Sequence, residues 1–240
     1  MHVLITGTSS GIGYGLTREF LNRGHEVWGI SRRKAEDLSR VDRYRHLQLD
    51  LTQYDEVMRL VPDLLDGLAR LDLVILNAGV LGPIAWMREV DVEEMKRVME
   101  VNVWANKVLL DLLFRHVQEV KQVIGMSTKS SLRSTPGWGP YSVSKAGLNM
   151  LMNVYAKEYP DTHFSAFAPG LVDSEIQETI WQIQETDKYP SISRLQEARY
   201  TEAMPDPQEA APLLVAGIER ALEHESGTFV DVRDMDMGEG

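Results

Sequence analysis

A tyrosine and a lysine stand one helical turn apart in "GPYSVSKAG", residues 139–147. Positions i and i+4 share one face of a helix, so Tyr141 and Lys145 are spaced to meet. An ammonium beside a phenol favours the phenolate and lowers the phenol pKa from its ordinary value of about 10. A phenol so tuned is a usable general acid and base. The same spacing also describes a solvated pair on a surface helix, and a pattern this short matches by chance far more often than by chemistry. The rest of the chain has to decide between the two.

A second chemical feature lies at the N-terminus. "TGTSSGIG", Thr6 to Gly13, follows an apolar run and opens a helical pattern reaching about Asn22. Gly7, Gly11 and Gly13 permit a tight turn, close backbone approach to a pyrophosphate and close helix packing. The helix start adds free N–H groups and the positive end of its dipole. The spacing G-x-x-x-G-x-G differs from the G-x-G-x-x-G form, and no G-K-[ST] follows, so a phosphate-transfer loop does not fit. Further on, "GISRRKAE" puts Ser31, Arg32 and Arg33 where a carboxylate would bind the ribose 2′-OH of NAD. Guanidinium groups pair with phosphate instead, and the expected cofactor is NADP(H), with Ser10 adding a hydroxyl to the same phosphate.

These groups need a scaffold that brings residues 6–13, 31–33 and 141–145 together. Short apolar runs at 2–6, 26–31, 46–51, 72–79, 122–127, 162–170 and 228–232 alternate with longer helical stretches. That rhythm predicts a doubly wound α/β Rossmann fold, a seven-stranded parallel sheet flanked by helices on both faces. No repeat or Pro/Ser-rich linker divides the 240 residues, so a single domain over 1–240 is expected. Residues 172–207 offer no strand and read as a substrate loop or lid. Residues 93–120 are apolar over much of a helix circumference, which points to a subunit interface in a homodimer or homotetramer.

Composition narrows the partners. A formal net charge of −11 argues against nucleic acid and gives no help on anionic membranes. With no cysteine, disulfides, thiolate metal sites and thiol nucleophiles are excluded, and the six histidines lack metal-ligand spacing. "MHVLITG" is too short in its apolar part for a signal peptide or membrane span, so a cytoplasmic location is the default.

Taken together, the motifs resemble the short-chain dehydrogenase/reductase family in its compact single-domain branch. The resemblance rests on "TGTSSGIG" (6–13, including Ser9 and Ile12), Asp50 and Leu51, "NAG" (Asn77, Ala78, Gly79), Asn102 in "MEVNVWA", "YSVSK" (141–145) and "PGLVDS" (169–174). It implies that Tyr141 exchanges a proton with the substrate oxygen, while Lys145 lowers the Tyr141 pKa and holds the nicotinamide ribose. Asn102 would anchor a water serving the lysine. Asp50 would meet the adenine edge, Asn77 would support the strand beside the cofactor, and Ser174 would bind the carboxamide. Pro169, Gly170 and Val172 would form the nicotinamide wall.

Departures qualify the resemblance. The family's catalytic serine normally precedes the tyrosine by 13 residues, where this chain has Thr128, with Ser127, Ser130 and Ser131 nearby. A threonine hydroxyl has the same donors and acceptors, although its methyl stiffens χ1; Thr128 or a shifted serine would serve. Leu76 replaces an asparagine, Pro140 enters the helix, and "RDMDMGEG" stands where relatives often close with Gly-Gly. The expected activity is NADPH-dependent reduction of a ketone or aldehyde. Trp138, Ile176, Ile180, Trp181 and Tyr189 lean towards a lipophilic or aromatic substrate. Glu175, Glu178, Glu185 and Asp187 would repel an anionic one if they face the pocket. The alternatives are a 3-oxoacyl-thioester reductase and a non-catalytic NADP(H)-binding sensor.

Overall fold

Runs such as HVLIT, EVWGIS and LVIL carry apolar side chains on both faces of a strand, so they are stable only in a sheet covered on both sides. In the computed structural model, which describes residues 1–235, seven such strands form one parallel sheet. They are β1 (His2–Thr6), β2 (Glu26–Ser31), β3 (Tyr44–Gln48), β4 (Leu73–Leu76), β5 (Gln122–Met126), β6 (His163–Ala168) and β7 (Thr228–Asp231). Their order is β3-β2-β1-β4-β5-β6-β7, and every neighbouring pair is parallel. The Rossmann expectation holds.

Helices α1 (Gly11–Asn22) and α8 (Pro207–Arg220) cover one face, burying Leu16, Phe20, Leu214 and Ile218. The other face takes α2 (Tyr54–Leu64), α4 (Ala105–His116) and α5 (Gly139–Glu158), through Val57, Val61, Leu109, Leu113, Leu148 and Met152. Between α2 and α4 runs α3 (Val92–Met99), joined to α4 by a π-helical turn at Glu100–Trp104. The connections from β1 and β4 leave in opposite directions, which opens a crevice at their carboxyl ends, the usual ligand position in such sheets.

Three strands stop two or three residues earlier than their apolar runs. β3 spans Tyr44–Gln48 rather than 46–51, because Asp50 Oδ1 accepts from the Thr52 N–H at 3.0 Å and its hydroxyl at 2.8 Å, an Asx turn that ends the strand. β4 ends at Leu76, since the N–H groups of Asn77 and Ala78 turn to the Thr6 hydroxyl. β6 ends at Ala168, before Pro169 and the left-handed Gly170 (φ 77°).

The apolar helix at 93–120 is largely satisfied within the chain. Val98, Val103, Leu109, Leu110, Leu112, Leu113 and Val117 are buried in the core, while Trp104 stays 48% exposed. Core packing therefore explains most of that greasy circumference. The stretch 172–207 is helical, with α6 (Glu175–Trp181), a 3₁₀ turn at Thr186–Lys188 and α7 (Pro190–Ala198). Part of the acidic tail read at 233–240 lies beyond Met235, outside the described residues.

Candidate active site

The crevice is built by residues that fasten β1 to β4. Thr6 Oγ1 accepts from the N–H groups of Asn77 and Ala78, both at 2.9 Å, and Asn77 Nδ2 donates to the Thr6 carbonyl at 2.9 Å. Gly7 takes φ 75°, where a side chain would be strained. At Gly13 a Cβ would lie 2.2 Å from the Gly7 carbonyl oxygen, so only glycine allows α1 to start this close to the strand. Ser10 enters α1 in extended geometry without a side-chain cap, which leaves the first helical N–H groups facing the crevice.

A cavity of ≈ 420 Å³ occupies this crevice. Its walls include Gly7, Ser9, Ser10, Gly11, Ile12, Ser31, Arg32, Arg33, Asp50, Leu51, Asn77, Ala78, Gly79 and Ser174, all singled out in the sequence. Glu175 and Ile176, read in the sequence as lid residues, also line it, and so do Arg97 and Glu100, which were not singled out. Nothing in the local sequence of Arg97 and Glu100 marks them, because they reach the cavity through the packing of α3 and its π turn over it. Pro169, Gly170 and Val172 are not among its walls. The Val172 side chain is buried in the core between sheet and α8, so only its backbone is left for a ligand.

The pair Arg32 and Arg33 sits at one end, and both are exposed. Arg33 reaches across the cavity mouth, donating to Ser10 Oγ at 3.4 Å and forming a close ion pair with Glu175 of α6. Ser31 differs from its neighbours. Its hydroxyl donates to the Arg33 carbonyl at 2.7 Å and joins a network with His46 Nε2 (2.8 Å) and Thr8 Oγ1 (3.2 Å), which Tyr44 completes. Ser31 thus shapes the arginine turn from the cavity wall. Burial lowers the His46 pKa, which keeps that network neutral.

The other end of the cavity backs onto Tyr141, Lys145 and Asn102. None of the three lines it, but a Cβ placed on Gly79, which does, would stand 3.1 Å from Asn102 Oδ1 and 3.3 Å from Lys145 Nζ. Asn102 is fully buried in the π turn; its Oδ1 accepts from the Val80 N–H at 2.8 Å, and its Nδ2 donates to the Val80 carbonyl and Ser144 Oγ, both at 2.9 Å. π turns concentrate at functional sites because they re-aim one side chain within a helix. Lys145 Nζ donates to the Met126 carbonyl at 2.7 Å and lies 5.7 Å from the Tyr141 ring centroid.

The expected electrostatic effect of the lysine on the tyrosine is not what this geometry produces. Burial pushes the Tyr141 phenol up to about 12 and draws the Lys145 ammonium down to about 8. Desolvation penalises both charged forms, and it dominates because the ammonium is directed at a backbone carbonyl rather than at the phenol. Tyr141 packs into a separate apolar cluster with Trp138, Leu81, Ile84, Ile176 and Tyr189, its ring 6.2 Å from that of Trp138.

Among the hydroxyls after β5, those of Ser127 and Ser131 are already engaged. Ser127 is buried and donates to Asn149 Oδ1 at 2.5 Å, and Ser131 donates to the Thr128 carbonyl at 2.6 Å. Thr128 Oγ1 accepts from the Ser130 N–H at 3.3 Å, which leaves its own proton to donate. The acidic lid residues are mostly paired: Glu178 accepts from Arg199 at 2.7 Å, Glu185 lies 3.7 Å from Lys188, and Glu175 faces Arg33. Their expected repulsion of anionic substrates therefore loses most of its force. Among the described residues no group of His, Asp or Glu is arranged to hold a metal ion, and no helix is long and apolar enough to cross a membrane.

Residues 1–185 match the model of the short chain dehydrogenase family. The chain belongs to this family. It is an oxidoreductase, and its family works with a nicotinamide cofactor; solved structures of the same fold are complexed with NADH in one case and NADPH in another. Among curated relatives, a benzil reductase ((S)-benzoin forming) of Bacillus subtilis is 28% identical over 96% of this chain and 98% of its own. A benzil reductase of Bacillus cereus is 31% identical over 78% of this chain and 80% of its own. The crystal structure of the KRED1-Pglu enzyme superposes with a TM-score of 0.83 at 25% identity, covering 95% of this chain and 99% of the other.

Proposed function

We propose that this protein is an NADPH-dependent reductase of ketones or aldehydes, with Tyr141 as the general acid and lipophilic aromatic carbonyls as the preferred substrates. One observation carries the reading: a phenol held in its protonated form stands at the junction of an apolar cluster and the end of the dinucleotide crevice. The crevice fits a dinucleotide, since Gly7 and Gly13 hold the strand-to-helix turn open for pyrophosphate and the start of α1 faces the gap. The bound cofactor would supply the hydride. Arg33 and Arg32 would hold the 2′-phosphate, Lys145 the nicotinamide ribose, and Ser174 the carboxamide.

The chain's own part in the reaction is to orient the carbonyl and deliver a proton. Thr128 donates a hydrogen bond to the carbonyl oxygen, Tyr141 passes its proton to the same atom, and Lys145 steadies the phenolate left behind. Trp138, Leu81, Ile84 and Tyr189 exclude water and favour flat apolar groups beside the carbonyl, in keeping with the diketone reduced by the Bacillus relatives. The four residues exposed along the α4–α5 side, Trp104, Val143, Met150 and Val154, support a homo-oligomer in which that side is covered. We place the protein in the cytoplasm as a single-domain enzyme over residues 1–240.

The test is NADPH oxidation with benzil, aryl alkyl ketones and 3-oxoacyl thioesters, with NADH in parallel. Faster turnover with NADPH and an aryl ketone supports the reading. Tyr141→Phe should lower kcat by roughly 10²–10⁴ while leaving NADPH binding intact. Tight NADPH binding without turnover on any carbonyl would favour a sensor, and a preference for thioesters the acyl reductase.

A further inference from the structure

The hydroxyl offered to the substrate and the acid that protonates it come from different elements: Thr128 from the loop after β5, Tyr141 from α5. Catalysis by two such groups depends on their relative placement, because a misplacement of about 1 Å costs on the order of 10²-fold in rate. Something must therefore hold the loop to the helix.

We infer that Asn149 is the positioning residue that does so. It lies on α5 at the next i+4 position after Tyr141 and Lys145, so it faces the same side of the helix. Both ends of its amide are used on the loop. Oδ1 accepts from the Ser127 hydroxyl at 2.5 Å, and Nδ2 donates to Ser131 Oγ at 2.7 Å. Ser131 in turn donates to the backbone carbonyl of Thr128 at 2.6 Å, and the Ser127 and Ser131 hydroxyls lie 3.4 Å apart. Asn149 thus grips the residue before Thr128 directly and the carbonyl of Thr128 through one hydroxyl. The Thr128 side chain caps the same short turn, accepting from the Ser130 N–H at 3.3 Å. The Ser127 and Ser131 hydroxyls are both consumed in this clamp.

This inference rests on Thr128 being the substrate-facing hydroxyl, and the experiment separates the two claims. Thr128→Ala, Asn149→Leu and the double variant are assayed for kcat and KM in NADPH-dependent reduction of an aryl ketone, with NADPH affinity measured by fluorescence titration. Thr128→Ala should lower kcat about 10²-fold, as loss of one substrate-oxygen donor does. Asn149→Leu should lower kcat about tenfold with NADPH affinity unchanged, and should add less than about twofold in the Thr128→Ala background. Equal losses in both backgrounds would overturn the inference, because the clamp would then not act through Thr128. If Thr128→Ala leaves kcat unchanged, the Thr128 reading falls and the inference with it. Ser131→Ala cuts the same chain with less disturbance. It serves in place of Asn149→Leu if that variant does not fold, with the same non-additivity expected.

Discussion

Burial has moved the Lys145 titration into a range that a rate measurement can reach. With its pKa at about 8, Lys145 is ~90% protonated at pH ~7, half protonated at pH ~8 and ~10% protonated at pH ~9 by simple titration. Tyr141, pushed up to about 12, keeps its proton throughout. The reduction proposed above would use both states at once, a phenol with a proton to give and a cation to steady the phenolate. The rate should therefore be flat on the acid side, halve near pH ~8, and fall ~tenfold for each further unit.

The quantity to measure is kcat/KM for NADPH at saturating ketone, since that ratio reports ionisations of the free enzyme. The control is Lys145→Met, which removes the titrating group and should give a lowered profile without the bend. A native profile that stays flat to pH ~10 would refute the assignment, as would a bend near pH ~8 that survives in Lys145→Met. Either result would mean that the site's proton chemistry is governed by a group other than this lysine.

Three further outcomes are expected. Glu175→Gln frees Arg33 for the 2′-phosphate and should tighten NADPH about two- to fivefold without changing NADH affinity, a small effect because the ion pair is exposed; titration of the two cofactors at low and high salt checks it. Gly13→Ala drives a methyl group into the Gly7 carbonyl and should cost on the order of 2–4 kcal/mol while abolishing NADPH binding; chemical unfolding and cofactor titration read both. Met150→Glu places a charge on the exposed α5 stripe and should shift sedimentation towards the monomer without loss of thermal stability.

The sheet was legible because its strands are apolar on both faces and its turns carry Gly, Pro and Asp. The boundaries were less so. At β3 and β4 the apolar run continues past the last ladder residue, and what ends the strand is a local Asx turn or a hydrogen bond donated to a distant partner, the Thr6 hydroxyl. The glycine turn and its arginines were readable for a similar reason, since each motif is contiguous and its geometry follows from residue type. Arg97 and Glu100 were not, because they join the cavity only when α3 and the π turn after it fold over it. Ser31 is a different case. Its position on the cavity wall was legible, but its hydrogen bonds to His46 of β3 and to Thr8 just after β1 were not, because only the fold brings those partners in.

The tyrosine–lysine pair is where sequence reasoning met its physical limit. The i,i+4 spacing does bring Lys145 to the face of Tyr141, yet proximity on a helix fixes Cβ positions and not the aim of a long side chain. The lysine ammonium stays 5.7 Å from the Tyr141 ring centroid and ends on the Met126 carbonyl, so the Coulomb attraction that would have favoured a phenolate is spent on a backbone dipole. Desolvation then acts on both groups without opposition and moves them in the neutral direction, the phenol up and the ammonium down. A resting site of this kind holds a proton on the tyrosine over the whole neutral range. It is ready to give that proton to a carbonyl oxygen, whereas removing one from an alcohol first requires the phenol to ionise. The asymmetry favours reduction at neutral pH and makes oxidation rise with pH, by up to about tenfold per unit until Lys145 loses its charge near pH ~8, for as long as Tyr141 remains the acid and base in both directions.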